Sequence, residues 1–162
     1  MTEDVEKDIL DTENVVRGIC TPYHFDKKKQ RLKKNAFKQK DPTRGVSVYR
    51  TLILPSAACK ARAKLLSSGD KQYFGLARVQ AGAVRETKAA ILDSREDMFY
   101  GHADIFVITA ADEYVHEEGE PLPPQIAELV DARIEYILNA TTFFQDPQPE
   151  IEEWHGPDLV DV

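Results

Sequence analysis

Residues 125–141, QIAELVDARIEYILNAT, carry Ile126, Leu129, Val130, Ile134, Ile137 and Leu138 at i, i+3, i+4, i+8, i+11 and i+12. That spacing is the 3.6-residue period of a helix with one apolar stripe, and Glu128, Asp131 and Glu135 face away from it. Pro121, Pro123 and Pro124 just upstream favour an extended approach with proline in the first turn. A stripe of this width has to lie on an apolar surface, and the chain before it supplies one in the form of strands.

ADIFVIT (103–109) is apolar on both faces, which predicts a strand inside a sheet. AAILDSR (89–95) predicts another, joined to it by the loop EDMFYGH. VSVYRTLIL (46–54) sets Val46, Val48, Leu52 and Leu54 on one face, interrupted by Arg50. VVRGIC (15–20) is short, β-branched and closed by Thr21-Pro22, as a first strand would be. YFGLARVQAGAVRET (73–87) predicts one bent strand or two short ones, with Gly75 and Gly82 where a strand bulges. Pro55-Ser56 opens an alanine-rich helix over about 57–67, with Ser56 as N-cap and Gly69 as stop. Residues 29–39 suit a weak helix, ended by Asp41-Pro42, and an extended loop equally well. The expected fold is therefore α+β: one domain over 15–142, with about five strands in a mixed, mainly antiparallel sheet and two helices packed on it.

The flanks differ in composition. Residues 1–14 carry six acids and one lysine with little to bury, which predicts a disordered acidic arm. Residues 143–162 mix proline with six acids around Ile151, Trp154, Leu159 and Val160, the pattern of an acidic docking tail with a tryptophan anchor. No apolar run approaches the length of a membrane span, and the acidic start is unlike a secretory signal, so a cytosolic location without membrane attachment is expected.

Charge is sorted along the chain. Residues 17–64 hold fourteen basic side chains and two acidic ones, Asp26 and Asp41, net +12 in a chain of net −7. A run of this kind meets a polyanion, an acidic protein face or the chain's own acidic ends. Lys27, Lys28, Lys29, Arg31, Lys33 and Lys34 are the candidate contacts, with Tyr23, Phe25 or Phe37 available to stack on single-stranded bases. Arg50 is a further binding candidate. Trp154 is another, as the anchor by which the tail would fold onto the basic surface until a partner displaces it.

Chemistry is sparsely signalled. His102 and Asp104, two apart on a strand, point the same way, and Ser94 lies close in sequence, so a Ser/His/Asp trio can be drawn. It lacks a GxSxG elbow, and His24 is a further remote candidate. Arg17, Arg50, Arg78 and Arg85 lie on strands and suit ion pairs with carboxylates such as Asp93 and Asp104. Cys20 and Cys59 form no CxxC, the four histidines show no HxxxH or HxH, and no glycine pattern marks a phosphate loop, so neither metal nor cofactor is expected.

The blocks Arg17-Gly18-Ile19, Ala36-Phe37, Gly45-Val46-Ser47-Val48 before Arg50, the strand from Gly75 to Arg85, and His102-Ala103-Asp104-Ile105 resemble, in that order, a group of small uncharacterised bacterial proteins. The resemblance spans about residues 15–108 and implies a compact α/β domain with no catalytic assignment to carry over. The expected function is a non-enzymatic adaptor of the bacterial cytosol, for example an accessory protein of a defence system, that holds a protein partner through the basic segment, the acidic tail, or both. The alternatives are a single-strand nucleic-acid binder and a small hydrolase or nuclease using His102 and Asp104.

Overall fold

The computed structural model describes residues 4–39, 44–112 and 121–159. Most of the acidic stretch ADEYVHEEGE (111–120) before the prolines, the Asp41-Pro42 stop and the Val160 anchor lie outside them. In chain order the elements are β1 (Asn14–Thr21), β2 (Phe25–Asp26), β3 (Arg31–Leu32), a 3-10 turn (Lys34–Phe37), β4 (Val46–Arg50), α1 (Ser56–Lys64), β5 (Gln72–Gln80), α2 (Ala81–Glu86), β6 (Ala90–Asp93), β7 (His102–Phe106), a second 3-10 turn (Ala110–Asp112), α3 (Pro124–Ala140) and β8 (Thr142–Gln145). Six strands form one sheet in the order β6-β7-β4-β1-β5-β8, every neighbouring pair antiparallel, while β2 and β3 form a separate hairpin. The fold is α+β as expected, with six strands and three helices in place of five and two.

Strand alternation divides the core in two. Val15, Ile19, Val48, Ala77, Val79, Ile91, Ala103 and Ile105 line one face, where Val130, Ile134 and Ile137 of α3 cover them. Each such side chain contributes roughly 1.5–3 kcal/mol by leaving water. Arg133 pins α3 to the exit of β7, donating to the Val107 carbonyl at 2.7 Å and to both Asp112 oxygens at 2.8 Å. Leu129, expected in the stripe, is 38% exposed at its margin. Val16, Tyr49, Tyr73 and Leu76 line the other face under Cys59 and Ala63 of α1. The helix sits close because Gly18 has no side chain: a Cβ there would lie 2.7 Å from that of Ala63.

Several boundaries differ from expectation for physical reasons. The stretch over 73–87 is one strand that turns at Gln80 into the short helix α2. Ser56 is the first residue of α1 and not its cap; Pro55 precedes the helix, and the Ser56 hydroxyl accepts the Leu159 N–H at 3.3 Å. Residues 29–39 resolve into β3 and a 3-10 turn. β8 carries the sheet past residue 142, where the domain was expected to end.

Both acidic flanks are packed where they are described. Ile9, in the expected mobile arm, is 4% exposed within the α3-side core. At the other end Leu159 is fully buried among Val16, Tyr49 and Leu76, and Trp154 packs against the same cluster. The tail over 146–159 is a strap over α1.

Candidate functional site

Ten of the described basic residues of the +12 segment form an internal set of three, Arg17, Arg50 and Lys60, and an external set of seven. Arg50 is fully buried, so as a surface-binding candidate it is corrected: its guanidinium bonds Glu13 Oε1 at 2.8 Å, Asp93 Oδ2 at 2.8 Å and the Glu6 carbonyl at 2.7 Å. Lys60 is equally buried, against Asp146 Oδ2 at 2.9 Å. Arg17 is half-buried. β1 and β4 pair at only two positions and then part, and its guanidinium fills the gap, donating to the Ala36 and Ser47 carbonyls at 2.8 and 3.2 Å. Burial lowers its pKa, with Tyr49 and Cys20 opposing weakly.

The external set gathers on one lobe. β2 and β3 pair through Phe25–Leu32 and Asp26–Arg31, and the Asp26 carboxylate caps the intervening turn by accepting the Lys28 and Lys29 N–H groups at 3.0 and 3.1 Å. Those bonds hold Asp26 below the usual carboxylate range, the Lys29 N–H contributing most. Lys27, Lys28, Lys29, Arg31, Lys33, Lys34 and Lys38 are all exposed on this hairpin and the 3-10 turn after it. Among the described residues the one ion pair they make is Lys34 with Asp131 at 3.8 Å, exposed on both sides and therefore worth little.

The aromatic side chains expected beside these cations have other duties. Phe37 is fully buried in the core, which rules out its stacking on a ligand. Tyr23 is 44% exposed, with its hydroxyl bonded to Asp70 at 3.1 Å. Phe25 is 4% exposed and stacks on Phe143 at 4.7 Å and near Phe74 at 5.1 Å, while Lys27 lies 5.3 Å above the Phe74 ring. This aromatic cluster joins the hairpin to β5 and β8. Beside it runs an open groove of about 790 Å³, walled by Asp26, Arg31, Lys33 and Lys34, by Glu135, Leu138 and Asn139 near the end of α3, and by Thr141, Phe143 and Gln145.

Trp154 is half-buried on the opposite side of the sheet, its indole N–H donating to the Pro157 carbonyl at 2.7 Å. The expectation that it holds the tail on the lysine lobe is corrected: the strap lies on α1, and it meets Lys60 and Lys64 there and Arg78 of β5, whose guanidinium donates to the Asp158 carbonyl at 3.3 Å.

Ser94 and His102 do come together, with Oγ 2.5 Å from Nδ1. The contact belongs to the β6–β7 connection, where Ser94 N–H also donates to the His102 carbonyl and His102 N–H to that of Phe99. His102 is 2% exposed, and the rings of Phe99 and Tyr49 stand edge-on at 5.1 and 6.4 Å. Its Nε2 has no hydrogen-bond partner among the described residues. With this imidazole closed off from solvent, the pair reads as a pin for the hairpin. His24 stands apart from it, buried near the end of β1, its Nδ1 accepting the Cys20 N–H at 3.0 Å. Among the described residues no group of three His, Cys, Asp or Glu converges as metal ligands would. Cys20 and Cys59 are buried free thiols, and burial pushes Cys59 up to about 12.

Burial lowers the His102 pKa below its ordinary 6.5, with Asp104 and Asp93 opposing and Arg62 and Arg17 assisting. The unfolded chain therefore binds a proton that the folded one refuses, and stability falls as pH drops from about 6.5 towards the folded value. Unfolding by denaturant between about pH 7 and pH 5 should show this slope, and His102→Gln should flatten it. An unchanged slope would assign the titration elsewhere.

The five blocks of the bacterial resemblance lie together: Arg17 reaches Ala36 and Ser47, Arg17–Ile19 pairs with Gly75–Ala77, and Val46–Tyr49 pairs with His102–Ile105. No family model, curated protein or solved structure matches the chain. Among the described residues no helix is long and apolar enough to cross a membrane.

Proposed function

We propose that this chain is a non-enzymatic binding protein, an adaptor whose β2–β3 lobe engages an acidic segment of a protein partner. The observation that carries the reading is the lobe itself: seven exposed cations on a hairpin fixed to the core by a buried aromatic cluster, with one weak ion pair among them. Internal neutralisation accounts for Arg50 and Lys60 but leaves these seven available. Two facts favour a protein partner over a single-stranded nucleic acid. Phe37 is unavailable, and Phe25 is consumed in the core, so the lobe offers charge without a free row of stacking faces. The enclosure of His102 weighs against hydrolysis.

Reversal of Lys27, Lys28, Lys29, Lys33 and Lys34 to Glu should weaken binding of a glutamate-rich peptide about tenfold or more while leaving the thermal midpoint nearly unchanged, since exposed substitutions cost little. Fluorescence anisotropy at physiological salt, with a single-stranded oligonucleotide as the parallel probe, reads the outcome. Equal peptide binding by the reversed chain removes the basic lobe from the mechanism. Tight binding of the oligonucleotide alone replaces the adaptor with a nucleic-acid binder.

A further inference from the structure

β8 ends the sheet. It pairs with β5 on one side, and among the described residues no strand pairs with the other. Asp146 N–H donates to the Phe74 carbonyl at 3.0 Å. Hydrogen bonding alternates along an antiparallel strand, so Phe144 and Asp146 turn their backbone groups towards β5, and Phe143 and Gln145 turn theirs to the open edge. The side chains of Phe143 and Gln145 also wall the groove beside Arg31, Lys33 and Lys34. One short stretch thus places outward-turned donors and acceptors next to a groove in which Arg31, Lys33 and Lys34 outnumber the acidic Asp26 and Glu135.

We infer that the partner segment binds as an added strand: an acidic peptide in extended conformation pairs with the free edge of β8, and every second side chain turns into the groove towards the cations. This inference rests on the adaptor reading and specifies how the partner is held. Main-chain pairing supplies a geometry that is indifferent to side chains, and the alternation of a strand means that only half of the positions need be acidic. Charge argues against a second copy of this chain as occupant. Two β8 strands paired antiparallel about a two-fold axis perpendicular to the sheet would set both lysine hairpins on the same face, like charge beside like. The edge is short, and Pro147 closes it, since proline has no N–H to offer.

The test uses the full chain and a synthetic peptide alternating glutamate and threonine, against the same sequence with every backbone amide methylated. Strand addition predicts that the methylated peptide binds at least about tenfold more weakly, because each lost main-chain bond weakens the complex while the charge is unchanged. Gln145→Pro, which removes an outward N–H from an exposed position, should weaken the unmodified peptide in the same direction, with circular dichroism checking that the fold persists. If both peptides bind alike, strand addition is overturned and the basic lobe stands. If the Lys→Glu chain binds the unmodified peptide as wild type does while methylation still abolishes binding, the basic lobe falls and the edge stands. No binding of the unmodified peptide overturns both. A wild-type dimer that Gln145→Pro dissociates shows that a second copy occupies the edge, and overturns the inference.

Discussion

Replacing Arg50 by Met should cost about 3–5 kcal/mol of stability, because it strips the counter-charge from carboxylates that cannot reach water. The guanidinium is fully buried, and the side chains of Glu13 and Asp93 are 4% and 2% exposed. Burial by itself would push the Asp93 carboxyl up, but hydrogen bonds from Arg95 and then Arg50 outweigh it and hold it at about 2. The methionine chain leaves Asp93 with Arg95, bonded at 2.9 and 3.0 Å, and leaves Glu13 with the Leu10 N–H. Glu13 is the more exposed to loss of the arginine, so Arg50→Met with Glu13→Gln should be less damaged than the two single changes summed. In a chain of this size a midpoint fall of roughly 10 °C follows from the expected loss. Arg50 also donates to the Glu6 carbonyl, and Arg95 to that of Val5, so deletion of residues 1–13 should destabilise by a similar amount. Calorimetry of the four variants against the wild type decides the matter. A loss under about 1 kcal/mol for Arg50→Met would mean that the network is solvated and that the acidic arm is no part of the fold.

That network explains what the sequence could and could not disclose. α3 was legible because its stripe repeats over seventeen residues, long enough for a period to stand out. α2 was not: six residues contain less than two turns, and the small and β-branched residues before it read equally well as a continuing strand. β8 exists because Phe144 pairs with Leu76, a long-range partnership with no local signature, and its four residues are followed by Pro147. The segregation of charge along the chain was real, but part of its meaning was internal. Arg50 reaches back 37 positions to Glu13, and Lys60 binds the tail 88 and 93 positions away. Arg50 did announce itself by interrupting an apolar strand face. The physical reading of that signal is a buried ion pair, since an arginine on a core face persists only when paired. Phe37 failed as a stacking candidate for the complementary reason. An aromatic ring beside lysines is as well used filling a core as meeting a base, and spacing cannot separate the two. Nothing in a list of residues marks the outward edge of β8, because an edge is defined by what is missing beside it.

Lys60→Met should be as damaging as the loss of Arg50, at about 3–5 kcal/mol, and its context dependence tests the strap. An ammonium has three N–H groups, and Lys60 directs them at Asp146 Oδ2 (2.9 Å) and at the Gln148 and Glu153 carbonyls (2.8 Å each). The charge is fully buried, so its partners determine whether it belongs in the fold at all. Asp146 also accepts the Tyr73 hydroxyl at 2.6 Å and the Gln148 N–H at 2.8 Å. Burial raises its carboxyl, yet the bonds from Tyr73 and Lys60 prevail and leave it below the ordinary 3.8. Its contribution is thus present above the unfolded pKa of about 3.8 and is lost as pH falls through the folded value. Methionine fills the volume but leaves a buried carboxylate without its cation. In a chain ending at Gln145 the carboxylate and both carbonyls are gone. The same substitution there should cost under about 1 kcal/mol or stabilise, because an unpaired buried ammonium is replaced by an apolar side chain. Truncation itself should weaken the fold by withdrawing Leu159 from the cluster around Tyr49 and Leu76. Urea unfolding of the four chains closes the cycle. Equal costs for Lys60→Met with and without residues 146–162 would detach Lys60 from the tail and with it the account of the acidic end as a strap, whereas a large difference between them makes the lysine the clasp by which a negatively charged tail is kept on its own domain and away from the lysine hairpin.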